Sequence, residues 1–325
     1  MKIIVTGATG SLGASITKYF AKEGHQVIAT GRTKNPPKQL LEIAEYIQAD
    51  ITQPFELPEA DLIIHTAALS DDKAKLKDLL VANVEGTIHT VNAAVKCKKI
   101  IHISSSSVYL PSPIPLQEEI AGKQNNKQLS PYGLSKLKSE IALIEKNTID
   151  SCFILRPRAH YGPCDKMILP RILKLEKNGV IHHPGSMQIN ISMTHYKNVI
   201  QAIECCIKSD KKGVNIYNVA DEQTYVFIEA IRKICSSIYG KKLPEKQIPI
   251  FVLKCMSWFK INGITPLLVR SFSQDMTLDI SKIKMELGYS AVTSLEQSLP
   301  ELKQWIESIG GINVLKTGAP HLAWE

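Results

Sequence analysis

An apolar run, Lys2 to Thr6, passes directly into the heptapeptide GATGSLG, and this junction limits the fold more than any other stretch of the chain. Gly7, Gly10 and Gly13 recur at every third position, where a missing Cβ permits a tight turn and the close approach of a second segment. Ser11 to Glu23 then carries apolar residues at helical spacing, so strand, turn and helix follow without a linker. Further β-branched runs lie at Gln26 to Thr30, Tyr46 to Ala49, Asp61 to Thr66, Lys99 to Ser104, Cys152 to Arg156 and Val214 to Val219. Several are apolar throughout, as strands covered on both faces are. Helical patterns at Lys73 to Val95 and Pro131 to Asn147 alternate with them. The expected fold is α/β: a Rossmann-type doubly wound parallel sheet. From about Gly162 the pattern loosens, with Pro163, Pro170, Pro184, Pro244, Pro249 and Pro266 punctuating shorter elements, which predicts a smaller C-terminal substrate-binding lobe.

A glycine-rich turn between a first strand and an amphipathic helix suits the pyrophosphate of a dinucleotide, because the helix N-terminus offers free N–H groups. Gly7, Thr9, Gly10, Ser11, Leu12 and Gly13 are the candidates to surround it, in a GxxGxxG spacing. Residues 1–161 are then expected to form the dinucleotide-binding domain, its sheet completed by about 187–222, with 162–186 and 223–325 forming the substrate lobe. The second strand ends in ATGRTK, placing Gly31 where an NAD enzyme presents an acid to the ribose 2′-hydroxyl, and Arg32 next. An arginine can hold a 2′-phosphate through paired charge-assisted hydrogen bonds, so NADP(H) is favoured and NAD(H) remains possible. Asp50 and Ile51, closing the third strand, are placed to meet the adenine. Ala67 and Ala68, after the fourth, are placed to line the passage to the nicotinamide, or simply to pack.

The charge balance fits such a ligand. Lysine and arginine number 39 against 31 acids, but they are scattered, with no basic stripe interleaved with aromatics. Nucleic acid is therefore not an expected partner. Seven cysteines with no CxxC pair indicate neither a disulfide framework nor a metal site, and a reducing cytoplasm is the natural location. No secretory signal is evident at the N-terminus. The apolar stretch Ile248 to Phe259 is cut by Lys254 and falls short of the roughly 20 residues of a membrane span.

In SPYGLSKLKSE, Tyr132 and Lys136 lie four residues apart on one helix face. A phenol with an ordinary pKa of about 10 becomes a usable acid/base beside an ammonium group. Upstream, HISSSSVY supplies a hydroxyl to orient a substrate oxygen. Together TGATGSLG, the Ala67, Ala68 pair, Asn83 in NVEGT, SSSSVY, YGLSK and LRPRAHYGP resemble the extended short-chain dehydrogenase/reductase family, in order from residue 2 to about residue 220. The resemblance implies a catalytic set of Ser105, Tyr132 and Lys136, since the family's hydroxyl stands three positions before the valine of its SSxxVY motif. Sugar-nucleotide dehydratases of that family carry an Asp-Glu pair where this chain has Ser106 and Ser107, so the resemblance does not extend to water elimination.

Ala159 and Asn190 stand where relatives that act on nucleotide sugars place their anchoring asparagine and arginine. LRPRAHYGPCDKMILPRILKL and LDISKIKMELGY are more similar to the 3β-hydroxysteroid dehydrogenase-like branch. The implied activity is interconversion of a secondary alcohol and a ketone on a small or hydrophobic molecule, with Ser107, Arg158 and His160 as candidate substrate-binding residues. Phe251, Met256, Trp258 and Phe259 then form an apolar lid or lipid-facing patch, or else plain second-lobe core. A sugar-nucleotide epimerase and a non-catalytic NADP(H)-sensing protein are the alternatives. By the same resemblance, a homodimer would use the helices at Lys73 to Val95 and Pro131 to Asn147.

Overall fold

The alternating apolar runs pair into one sheet because each is flanked by helices that cover both of its faces. The computed structural model describes residues 1–71, 74–94, 96–258, 265–317 and 320–324. Its seven-stranded sheet contains β1 (Lys2–Thr6), β2 (Gln26–Gly31), β3 (Glu45–Gln48), β4 (Ala60–His65), β5 (Cys97–Ile103), β6 (Ser151–Pro157) and β7 (Gly213–Val219), in the order β7-β6-β5-β4-β1-β2-β3. Every neighbouring pair is parallel. All seven expected strands are present, with ends displaced by one or two residues. The fold is a Rossmann-like α/β sheet.

Side chains alternate between two cores, as the period of two requires. Ile3, Val5, Ile64, Ile101 and Phe153 face α1 (Ser11–Lys22), while Ile4, Ile63, Ile100 and Ile154 face the opposite layer. Burying so many β-branched side chains contributes roughly 1.5–3 kcal/mol each.

The pattern from Lys73 to Val95 is not one helix. It comprises α2 (Leu76–Leu80), a π-helical turn Val81–Glu85 and α3 (Gly86–Ala93); Lys73 and Val95 themselves lie outside the described residues. Asn83 is buried in the π turn and faces two ways. Its amide bonds both backbone groups of Leu69, at 2.7 and 3.0 Å, and donates to Ser135 Oγ at 2.8 Å. Ser135 belongs to α4 (Pro131–Lys146), so the widened turn ties the loop after β4 to that helix.

A further core gathers Tyr161, Leu169, Ile228, Ile231, Leu302 and Trp305, built largely from α6 (Phe227–Tyr239) and α9 (Leu295–Ser308), whereas α5 (Tyr196–Lys208) packs on the sheet. Asp221, just beyond β7, knots this core to the sheet. Its Oδ1 accepts from His195 N at 2.7 Å and Asn198 Nδ2 at 2.6 Å, and its Oδ2 accepts from the hydroxyls of Tyr161 at 2.8 Å and Tyr225 at 3.0 Å. Among the described residues, no helix is long and apolar enough to cross a membrane.

Removing the Asp221 carboxylate leaves four buried donors without their acceptor. Asp221→Ala is expected to lose about 3 kcal/mol in urea denaturation, with Asp221→Asn losing less because it keeps one oxygen. A loss below about 0.5 kcal/mol would show that the knot is not needed.

Candidate active site

The chain passes from β1 to β3 on one side of the sheet and returns to β4 on the other, so β1 and β4 flank the point where strand order reverses. In open parallel sheets, ligands bind in the crevice at the carboxyl ends of such strands. Gly7 takes φ 70° there, and a Cβ added to it would lie 2.7 Å from Ala67 Cα. At Gly13 an added Cβ would meet the Gly7 carbonyl oxygen at 2.2 Å, so α1 can approach the turn only as glycine. Gly10 caps α1 with no side-chain hydrogen bond, which leaves the N–H groups of the first turn, around Ser11, Leu12 and Gly13, for an anion. This cradle fits a pyrophosphate.

Ala67 backs Gly7 directly, and Ala68 is exposed beside it. Thr9 touches the other edge: a Cβ on Gly31 would stand 3.2 Å from Thr9 Oγ1 and 3.0 Å from Tyr46 Oη. Arg32 follows as an exposed side chain. Asp50 is exposed, and two bonds from Thr52, backbone and hydroxyl, hold its carboxyl below the ordinary carboxylate range. Ile51 is buried against Gly86. Trp324 gave no signal in the sequence, being an isolated aromatic far from every motif. Its indole N–H donates 3.1 Å to the carbonyl of Ala8, so the 320–324 segment props the turn from behind.

On the far side of β4, the hydroxyl run follows β5. Ser105 Oγ accepts from Ser107 N and donates to Ser107 Oγ, each at 3.1 Å, shaping a short 3-10 turn over Ser106–Val108. Ser105 and Ser107 are partly exposed, while Ser104 and Ser106 are buried. The first turn of α4 packs on these serines: a Cβ on Gly133 would lie 2.1 Å from Ser107 O. Ser130 caps the helix and Pro131 occupies its first position, which fixes where Tyr132 emerges. Tyr132 is partly exposed.

One helical turn on, Lys136 is buried and donates 2.9 Å to the Ile103 carbonyl at the end of β5, with His102 Nε2 at 3.4 Å. Burial pushes its amine down to about 8, against the upward pull of the Glu140 carboxylate. His65 and His102 stack beneath it with ring centres 5.1 Å apart. Burial first, and the ammonium second, hold both imidazoles neutral, His65 at about 3. Glu140, another turn along, accepts from Ser104 Oγ and takes Arg156 bidentately at 3.0 and 2.6 Å. Arg156 also donates to Tyr109 Oη at 2.7 Å. Arg156 lay inside the quoted LRPRAHYGP motif, but its pairing with Glu140 was illegible because 16 residues separate them.

Arg158 and His160 leave the carboxyl end of β6, beside the serine run. Ala159 between them adopts φ 42°, a left-handed conformation rare outside glycine. The Thr194 hydroxyl accepts from Arg158 N at 3.0 Å. Further along the chain, Phe251 and Trp258 of α7 (Ile250–Trp258) are 69% and 85% exposed, so these two are not core; Met256 is partly buried, and Phe259 lies outside the described residues.

A model of the NAD dependent epimerase/dehydratase family matches residues 3–220. The chain belongs to that family. The chain is an enzyme of this extended short-chain dehydrogenase/reductase group. Similar proteins include one from Escherichia coli K12 named uncharacterized protein YbjS, 26% identical over 95% of this chain and 99% of its own length. The 2-alkyl-3-oxoalkanoate reductase of Stenotrophomonas maltophilia is 21% identical over 93% of this chain and 98% of its own. Among solved structures, a Bacillus cereus UDP-glucuronic acid 4-epimerase in complex with NAD superposes with a TM-score of 0.74, 22% identity, and coverage of 95% and 99%. Reductases and epimerases thus share this architecture.

Two outcomes follow for this family member. Gly13→Ala is expected to weaken dinucleotide binding by at least about tenfold in fluorescence titration while the far-ultraviolet spectrum is unchanged; undiminished affinity would contradict the cradle. The charged form of Lys136 is the one that burial penalises. Its folded pKa of about 8 lies below the ordinary 10.5, so the unfolded chain holds the extra proton between these values and stability rises with pH across that window. Lys136→Met is therefore expected to be more stable than the parent chain at pH 7, with the gap closing toward pH 10. A gap independent of pH would mean that the amine is not buried as a charge.

Proposed function

We propose that the chain is a reductase or dehydrogenase interconverting a ketone and a secondary alcohol on a small or hydrophobic substrate, with NADP(H) preferred. The observation that carries this is the placement of Lys136, its amine buried against the end of β5, one turn from Tyr132 and beside the helix-packed serine turn. Bound at the glycine cradle, a reduced nicotinamide would supply the hydride. Tyr132 gives its proton to the carbonyl oxygen as hydride arrives at the adjoining carbon, so a secondary alcohol forms. Lys136 favours the phenolate left behind. Ser105 holds the reacting oxygen, and Ser107 can pass its own hydroxyl hydrogen bond toward it.

The preference for the phosphorylated cofactor rests on Gly31 and Arg32. Gly31 carries no acid to repel a 2′-phosphate, a Cβ there would stand tightly 3.0 Å from Tyr46 Oη and 3.2 Å from Thr9 Oγ1, and Arg32 stands exposed next to it. Asp50 and Ile51 would border the adenine. Residues 1–161, completed by about 187–222, form the cofactor domain in this reading, and 162–186 with 223–325 form the substrate lobe. The keto substrate named for the Stenotrophomonas maltophilia relative supports a ketone on an alkyl chain. Seven free thiols, six of them buried, suit a reducing cytoplasm. A homodimer through α2 and α4 would cover Leu76, Ile141 and Ile144, which are 38%, 45% and 44% exposed.

An epimerase returns its hydride and leaves the cofactor pool unchanged, whereas a reductase consumes it. Incubation of the chain with NADPH and a panel of alkyl ketones is expected to consume NADPH in proportion to the alcohol formed, and Arg32→Glu is expected to lower the NADPH-to-NADH preference by about tenfold or more. Inversion of a nucleotide sugar with no net change in reduced cofactor would overturn the reading.

A further inference from the structure

Beside the serine turn, Arg158 carries a charge that no described residue answers. The neighbouring Arg156 is held by both oxygens of Glu140 and by Tyr109. Among the described residues Arg158 makes hydrogen bonds through its backbone alone, whose N–H and carbonyl both meet the Thr194 hydroxyl. Its Nε is shut off from solvent with no acceptor. Among the described residues no carboxylate pairs with its guanidinium, and burial depresses its pKa, to about 10, so it stays charged at neutral pH.

Arg158 is partly buried, but a guanidinium whose Nε is shut off from water without an acceptor is costly, and proteins retain such groups where a ligand completes them. The local backbone supports this view. Ala159 holds the left-handed conformation at φ 42°, a strain that sets the directions of the residues on either side. His160, on the other side, also has a buried Nε2 with no partner. The Thr194 hydroxyl lies 3.0 Å from Arg158 N and 2.9 Å from the carbonyls of both Arg158 and Val219, clamping the ends of β6 and β7 so that the strained turn is held firmly. The position is set relative to the reacting groups as well. Ser104 N donates 2.7 Å to Leu155 O, which places Arg158, three residues further along β6, at the same sheet edge as Ser105, one residue further along β5.

We infer that Arg158 is the receptor for a carboxylate on the substrate, so that the molecule reduced at Tyr132 is a keto acid with a short spacing between ketone and acid, a 3-oxo acid being the simplest. One planar guanidinium matches one carboxylate through two parallel N–H donors. A diphosphate would call for several cations, and among the described residues no second lysine or arginine side chain is placed beside Arg158 by a hydrogen bond or ion pair. The unpartnered His160 Nε2 can donate to the same anion or to an acyl-chain oxygen. This inference rests on the ketone-reductase reading for its catalytic half only; the anion site stands on Arg158 itself.

The test separates the two. Octanoate binding to the complete chain is followed by calorimetry for the parent and for Arg158→Leu, with Arg158→Gln as a second neutral variant should leucine impair folding. Turnover with NADPH is compared for 3-oxodecanoate and its methyl ester. The parent is expected to bind octanoate and to prefer the acid, and each neutral variant is expected to lose about thirtyfold in octanoate affinity and in the acid-to-ester ratio of kcat/KM. Arg158→Lys is expected to keep part of that ratio, since it retains the charge but not the fork. Failure of the parent to bind octanoate, or an equal loss for acid and ester in the neutral variants, would overturn the carboxylate site. Binding of octanoate that depends on Arg158, with no ketone reduced, would instead uphold the site and overturn the reductase reading.

Discussion

The hydrogen bond from Lys136 Nζ to the carbonyl of Ile103 is the contact on which the site depends. It brings a charged amine into the interior at the carboxyl end of β5, where a charge is expensive unless its donors are satisfied. The cost is contained by what surrounds it. Glu140, four residues on, carries the balancing negative charge, and Arg156 holds that carboxylate from β6. Tyr132, Lys136 and Glu140 therefore form one stripe along α4, at the spacing where helical neighbours share a face. The first residue is partly exposed, the second meets the sheet, and the third meets the buried arginine. His65 and His102 lie beneath the amine as neutral imidazoles, so the region near the lysine holds a single ammonium rather than a cluster of cations.

Much of this was legible beforehand because it is local. A strand, a GxxGxxG turn and a helix are contiguous, so their geometry follows from adjacent residues, and the i, i+4 relation of Tyr132 and Lys136 needs only a helix. The sheet strands were visible because burial on both faces makes them apolar along their whole length. What escaped was non-local. Trp324 reaches Ala8 across 316 residues, and Glu140 meets Arg156 across two segments with no shared motif. The π turn at Val81–Glu85 escaped because an apolar helical pattern does not distinguish a continuous helix from one widened to free an asparagine for a loop.

The same distinction explains the glycines. Gly133 sits in YGLSK, where a sequence reading notes only the tyrosine and lysine, yet its missing Cβ is what lets the helix reach Ser107. Gly31 was read for the acid it lacks, and the close packing of Tyr46 and Thr9 is a reason for glycine there. In both cases the residue matters through a partner supplied by another element. The candidate site thus gathers several strand ends whose individual motifs are short and which the sheet aligns.

The central claim is that a phenol beside a buried amine moves the proton while the glycine turn separately holds the cofactor. Tyr132→Phe isolates these two functions. Turnover and NADPH affinity measured side by side are predicted to diverge, with turnover reduced by about a thousandfold or more and affinity kept within about threefold. Substantial turnover in that variant would contradict the account.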